Sequence, residues 1–155
     1  MTDSPLLQAL YEGRRGDVER MVADGGELDL FEASAIGDAA RLRELLEEGA
    51  DPNELAPDGF TPLTLACFFK RPDAVRLLLD RGADVHLRAR NEQIQVLPIH
   101  SAAADGGSVE IVRMLLDAGA DVNATQPGGF RAIDAARMDK NQELERLLLE
   151  RGSKP

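Results

Sequence analysis

Asp58 to His86 reads DGFTPLTLACFFKRPDAVRLLLDRGADVH, two helix signatures joined by a short turn. Thr61 is a good N-cap, and Pro62 stands where a first-turn proline belongs. Leu63, Leu65, Ala66 and Phe69 then recur at helical spacing. Pro72 opens a second helix whose Ala74, Val75, Leu78 and Leu79 form one apolar face. Gly82 follows that helix, where a left-handed backbone is tolerated without strain only by glycine. The ending recurs along the chain: GADP at Gly49, GADV at Gly82 and GADV at Gly119, followed by Asn53, His86 and Asn123. Gly152 closes a fourth, truncated copy, and the intervals between these glycines are 33, 37 and 33 residues. A period near 33 marks stacked helix pairs. Such a pair cannot bury its apolar face alone, so neighbours stack into a solenoid with one extended concave surface.

The unit resembles the ankyrin repeat, whose pattern includes T-P-L-H-x-A. TPLTLA departs from it by threonine for histidine. The fourth unit, LPIHSAAADGGSVEIVRMLLDAGADVN, keeps His100 and carries Leu97 in place of the capping threonine. The fifth, FRAIDAARMDKNQELERLLLERG, has Ala132 where proline would stand, and the second, LDLFEASAIGDAARLRELLEEGADPN, has Asp29 there. The first, SPLLQALYEGRRGDVERMVADGG, is the most degenerate, and Gly25-Gly26 predicts a short second helix. The resemblance covers about residues 4–152. It implies an all-α repeat solenoid of about five stacked helix-turn-helix units with β-hairpin fingers. Residues 1–155 would form a single domain with units near 4–25, 28–53, 58–86, 95–123 and 128–152. The 37-residue interval divides into three extra residues in the finger Leu87–Val96 and one near Gly106-Gly107. That long finger is expected to bind without supporting the fold.

Composition narrows the function class. The net charge of −10 falls on residues 1–58, with 15 acids and 5 bases; the remainder balances 13 against 13. A polyanion would be repelled by the first half, which argues against nucleic acid and against an anionic membrane surface. There is no apolar run long enough for a membrane span and no signal-peptide core. The single cysteine, Cys67, excludes an intrachain disulfide framework and a multi-cysteine metal site. A cytoplasmic monomer is expected. Arginine outnumbers lysine 15 to 3, which suggests a GC-rich bacterial genome, and the resemblance is to a small stand-alone ankyrin repeat protein.

No catalytic constellation stands out. His86 and His100 are the only histidines and occupy repeat-specified places. The resemblance gives His100 a structural hydrogen bond between repeats. Cys67 falls at a small-residue core position and reads as an inert thiol. Gly106-Gly107 lacks the G-x-x-x-x-G-K of a phosphate loop. Asp51, Asp84 and Asp121 recur with the repeat and read as structural. Hence no enzyme, no cofactor and no metal are expected.

Binding residues are sought among the scarce aromatics: one tyrosine, five phenylalanines and no tryptophan. By resemblance, the concave face is built from finger residues and two residues near the end of each first helix. These are Tyr11 and Glu12, Ala35 and Ile36, Phe68 and Phe69, Ala104 and Asp105, Met138 and Asp139. The finger places are Phe60, Val96 and Phe130, with Ile94 on the long finger. The expected site comprises Phe60, Phe68, Phe69, Arg88, Arg90, Ile94, Phe130 and Met138. The aromatics would desolvate against a protein partner, and Arg88 and Arg90 would pair with its carboxylates. The function read from this is non-catalytic protein–protein recognition. The alternatives are a self-assembling structural protein and a regulatory subunit of a separately encoded enzyme.

Overall fold

A computed structural model describes residues 3–91 and 93–155. Its helices come in successive pairs: α1 Pro5–Tyr11 with α2 Arg15–Ala23, α3 Leu30–Ile36 with α4 Ala39–Glu47, α5 Pro62–Phe68 with α6 Pro72–Asp80, α7 Pro98–Ala103 with α8 Val109–Asp117, and α9 Ala132–Met138 with α10 Gln142–Glu150. Helices this short are marginal alone, so packing holds them. The first helices of successive pairs stack on one another, and α4, α6, α8 and α10 form a second layer behind them.

The core lies between the layers. Ala74, Val75 and Leu78 of α6, Ile111, Val112 and Leu115 of α8, and Leu144, Leu147 and Leu148 of α10 are all buried. Burial of each leucine or isoleucine contributes about 1.5–3 kcal/mol. Start signals act as read: the Thr61 hydroxyl accepts from Thr64 N–H at 3.0 Å, and Pro62 opens α5.

The repeated G-A-D is a helix stop followed by a turn. Gly82 N–H donates to Leu79 O at 3.2 Å and Ala83 N–H to Leu78 O at 2.9 Å, the paired bonds of a Schellman cap. Gly119 and Ala120 repeat them on Leu116 and Leu115. Asp84 then accepts from the N–H of His86, and Asp51 and Asp121 do the same for Asn53 and Asn123. Asn53 also donates to Gly82 O and accepts from Asp84 N–H, which ties one turn to the next. Gly82 has φ +91°, and a Cβ there would meet nothing within 4 Å. The whole cost of a side chain is therefore backbone strain. Gly82→Val is expected to lower stability by more than about 1 kcal/mol. An unchanged denaturation midpoint would contradict this assignment.

Three expectations are corrected. The second helix of the first pair is not short: α2 spans nine residues, as the other second helices do, but buries none of them. Asp29 does not hold the proline place. It is the N-cap of α3, accepting from Glu32 N–H at 2.8 Å, and Leu30 is the first helical residue. The turn from α3 to α4 is one residue shorter than that from α5 to α6, which displaced the count. Ala35 consequently falls in the register of Cys67 and is fully buried, so Ile36 alone reaches the concave row. The connections after α4 and α8 close as tight turns: Ala56 N–H donates to Phe60 O and Gln126 N–H to Phe130 O, both at 2.9 Å. None of the described residues forms a strand.

Candidate functional site

With the register settled, Tyr11, Ile36, Phe68, Ala104 and Met138 occupy equivalent places, at or one residue past the ends of the first helices. They form a row along one face of the stack. The row is large at Phe68, 42% exposed, and at Met138, 72% exposed, but small at Ala104 between them. A hollow of about 570 Å³ opens there. Its walls come from α1 (Gln8, Tyr11), α5 (Thr64, Leu65, Phe68), α9 (Ala135) and the long finger (Ile94, Val96). A smaller hollow of about 350 Å³ adjoins it, sharing Ala104 and lined by Phe130 and Met138. Lys70 fixes the floor: its ammonium donates to the carbonyls of Ser101 and Ala104 at 2.9 Å, capping α7. Burial pulls that ammonium below its ordinary pKa.

Four rings meet at one end of the hollow. The Tyr11 ring lies 6.4 Å from Phe60, 6.2 Å from Phe68 and 5.5 Å from Phe69, and Phe68 stands edge-on to Phe69 at 5.0 Å. Tyr11 reaches them across α3. Phe60 and Phe69 are half-buried on a small cluster of Leu7, Ala35 and Leu65, whereas Phe68 is exposed. Burial first, then the charge and the hydrogen-bonding pull of the neighbouring Asp58 carboxylate, hold the Tyr11 phenol above its ordinary pKa.

His100 lies under the hollow. Its Nδ1 accepts from Leu97 N–H at 3.2 Å, so Nε2–H donates to Ala124 O at 2.9 Å. The expected bond between repeats is present, and His100 also supplies the N-terminal acceptor that Leu97 cannot. Burial lowers its pKa, opposed by the Ala124 bond and aided by the Arg88 charge. The unfolded imidazole titrates near about 6.5 and the folded one lower. As pH falls below about 6.5, the unfolded state takes up a proton that the folded state refuses, and stability drops. Above that pH the contribution is constant. The melting temperature should therefore fall between pH 7 and 5, and more shallowly in His100→Gln. Equal slopes would refute the assignment.

Comparison with known proteins agrees with the helical-repeat fold. The family model for ankyrin repeats in three copies matches residues 2–89 and again 30–126. The chain belongs to the ankyrin repeat family. Over 111 residues it is 35% identical to human ankyrin repeat and SOCS box protein 16, covering 66% of this chain and 24% of that protein. Over 63 residues it is 46% identical to mouse 2-5A-dependent ribonuclease, covering 40% and 9%. Over 82 residues it is 37% identical to bovine cyclin-dependent kinase 4 inhibitor B, covering 53% and 60%. The chain thus spans less than two thirds of each of these relatives.

In this ankyrin repeat protein the expected site residues divide. Phe60, Phe68 and Ile94 line the larger hollow and Phe130 and Met138 the smaller, while Phe69 packs behind Phe68. Arg88 and Arg90 line neither. Arg88 donates to Gln95 O at 2.7 Å and to Thr125 O at 3.1 Å, so its guanidinium ties two fingers together. Arg90 is exposed beyond it, and its N–H donates to Gly59 O at 2.8 Å. With Asn91 Nδ2 donating to Asp58 O at 2.7 Å, the long finger, expected to bind without supporting the fold, is hydrogen-bonded to both neighbouring turns. Glu92 of that finger lies outside the described residues, as do Met1 and Thr2. Three residues of the larger hollow stand outside the expected site: Tyr11 and Ala104, already counted on the concave row, and Asp58. Tyr11 aligns with Phe68, and Ala104 is the gap in an otherwise bulky row, whereas no place in that row marks Asp58. Cys67 is fully buried, and burial raises its thiol pKa.

Proposed function

We propose that this chain is a non-catalytic recognition module that binds a partner protein on its concave face. Each helix pair is then one ankyrin unit, five in all, and the turns between them are the projecting fingers. The observation that carries the reading is the hollow at Ala104, flanked by exposed Phe68, Ile94, Phe130 and Met138. Exposed aromatic and methionine side chains grouped around a concavity are the features of an interaction hot spot, not of a solvated face. Phe60 and Phe69 support the rings that contact the partner. Arg90 is free to meet a partner carboxylate at the outer edge of the finger, while Arg88 serves the fold.

Filling the hollow tests this without removing any contact. Ala104→Phe should fold with an unchanged melting temperature, because Ala104 is extended and faces open space. It should fail to retain a partner that the wild-type protein captures from its source cells. Equal capture by both, with the variant folded, would refute the concave reading.

A further inference from the structure

The larger hollow is not uniformly apolar. Asp58 lies on its wall, 8% exposed, and forms no ion pair among the described residues. Its carboxylate lies beside the Tyr11 phenol and accepts from Phe60 N–H at 3.4 Å, which leaves lone pairs unused. Around it stand the rings of Tyr11, Phe60 and Phe68. Glu12, on the same wall, is paired with Arg14 at 2.6 Å. The cation on the hollow, Arg131, is committed to Asp134 at 3.3 Å and to the Lys154 carbonyl at 3.0 Å.

We propose that the hollow accepts the side chain of a lysine or arginine from the partner protein, its alkyl stem against Tyr11, Phe60 and Phe68 and its charge on Asp58. This rests on the concave reading above and names what that face recognises. A purely apolar occupant would strip the remaining water from an uncompensated carboxylate, which is costly. A cation supplies the missing counter-charge and gains from the ring faces, where a desolvated cation is attracted by the negative π surface. The field agrees in sign: residues 1–58, which include Tyr11 and Asp58, carry the whole net charge of −10. The charge complementarity is the reverse of that suggested by Arg88 and Arg90, because neither reaches the hollow.

The probe is a random peptide library selected on the immobilised full chain. Peptides that bind the wild type and not Ala104→Phe should share one basic position among apolar neighbours. Replacing that arginine by citrulline, or lysine by norleucine, should weaken binding about tenfold or more. The same replacement should change little on Asp58→Asn, which keeps an acceptor for Tyr11. The peptide-side change keeps the test decisive if Asp58→Asn fails to fold. Selected peptides without a basic position, or neutral analogues that bind equally well, would overturn the proposal and leave the concave reading intact. Failure to select any peptide, or selection of peptides that bind Ala104→Phe equally, would overturn both.

Discussion

Alanine at Phe68 is expected to weaken partner binding by about 2 kcal/mol or more while costing about 1 kcal/mol or less of stability. The ring is exposed and stands at the lip of the hollow, so truncation removes a desolvated contact on binding but little buried area on folding. Its fold-side loss is confined to ring contacts with Phe69 and Tyr11, each contributing about 0.5 kcal/mol, the low end for an aromatic pair, at this exposed position. Phe69→Ala should behave in the opposite way. Phe69 covers Leu7, Ala35 and Leu65, so its removal should cost about 1–3 kcal/mol of stability, less than a fully buried phenylalanine. Denaturation and titration of both variants against the captured partner read the two effects separately. A collapse in melting temperature on Phe68→Ala would move that residue into the core.

A large effect on stability is expected at Gly107. Gly106 and Gly107 both have positive φ, +86° and +61°, in the widened turn between α7 and α8. A Cβ at Gly106 meets nothing within 4 Å. One at Gly107 would overlap Leu144 Cδ2 and come within 2.9 Å of Ala103 O. Leu144 is fully buried in α10 and has no room to withdraw. Gly106→Ala should therefore cost about 1 kcal/mol, the left-handed penalty alone. Gly107→Ala adds overpacking and should cost about 2–4 kcal/mol. Similar losses at both positions, measured by denaturant titration, would contradict the packing of the last pair on the turn before it.

These residues show where sequence reasoning succeeds. The helix stops were legible because a Schellman cap needs glycine at one fixed place, so Gly49, Gly82, Gly119 and Gly152 mark the period directly. The extra residue at Gly106-Gly107 was legible for the same reason. Residue type did not reveal what depends on reach across the stack. Tyr11 meets Phe60, Phe68 and Phe69 by passing over α3, and no local pattern encodes that contact. Arg88 reads as a free cation in sequence, yet two carbonyls from separate fingers claim it. The shorter turn after α3 carries no glycine-spacing signal upstream of it, so counting from Asp29 placed Ala35 one position astray. The hollow itself is an absence, the lack of side chain at Ala104, and becomes visible only when the row is aligned.

The concave face is tested most directly by amide chemical-shift mapping of the full chain during titration with the captured partner. Large shifts are expected at Tyr11, Phe68, Ile94, Ala104 and Gln126, which surround the larger hollow, with α2, α4, α6, α8 and α10 little changed along their outer faces. Shifts confined to those outer faces, at Glu44, Arg76 or Glu110 for instance, with the residues of the hollow unmoved, would contradict the account.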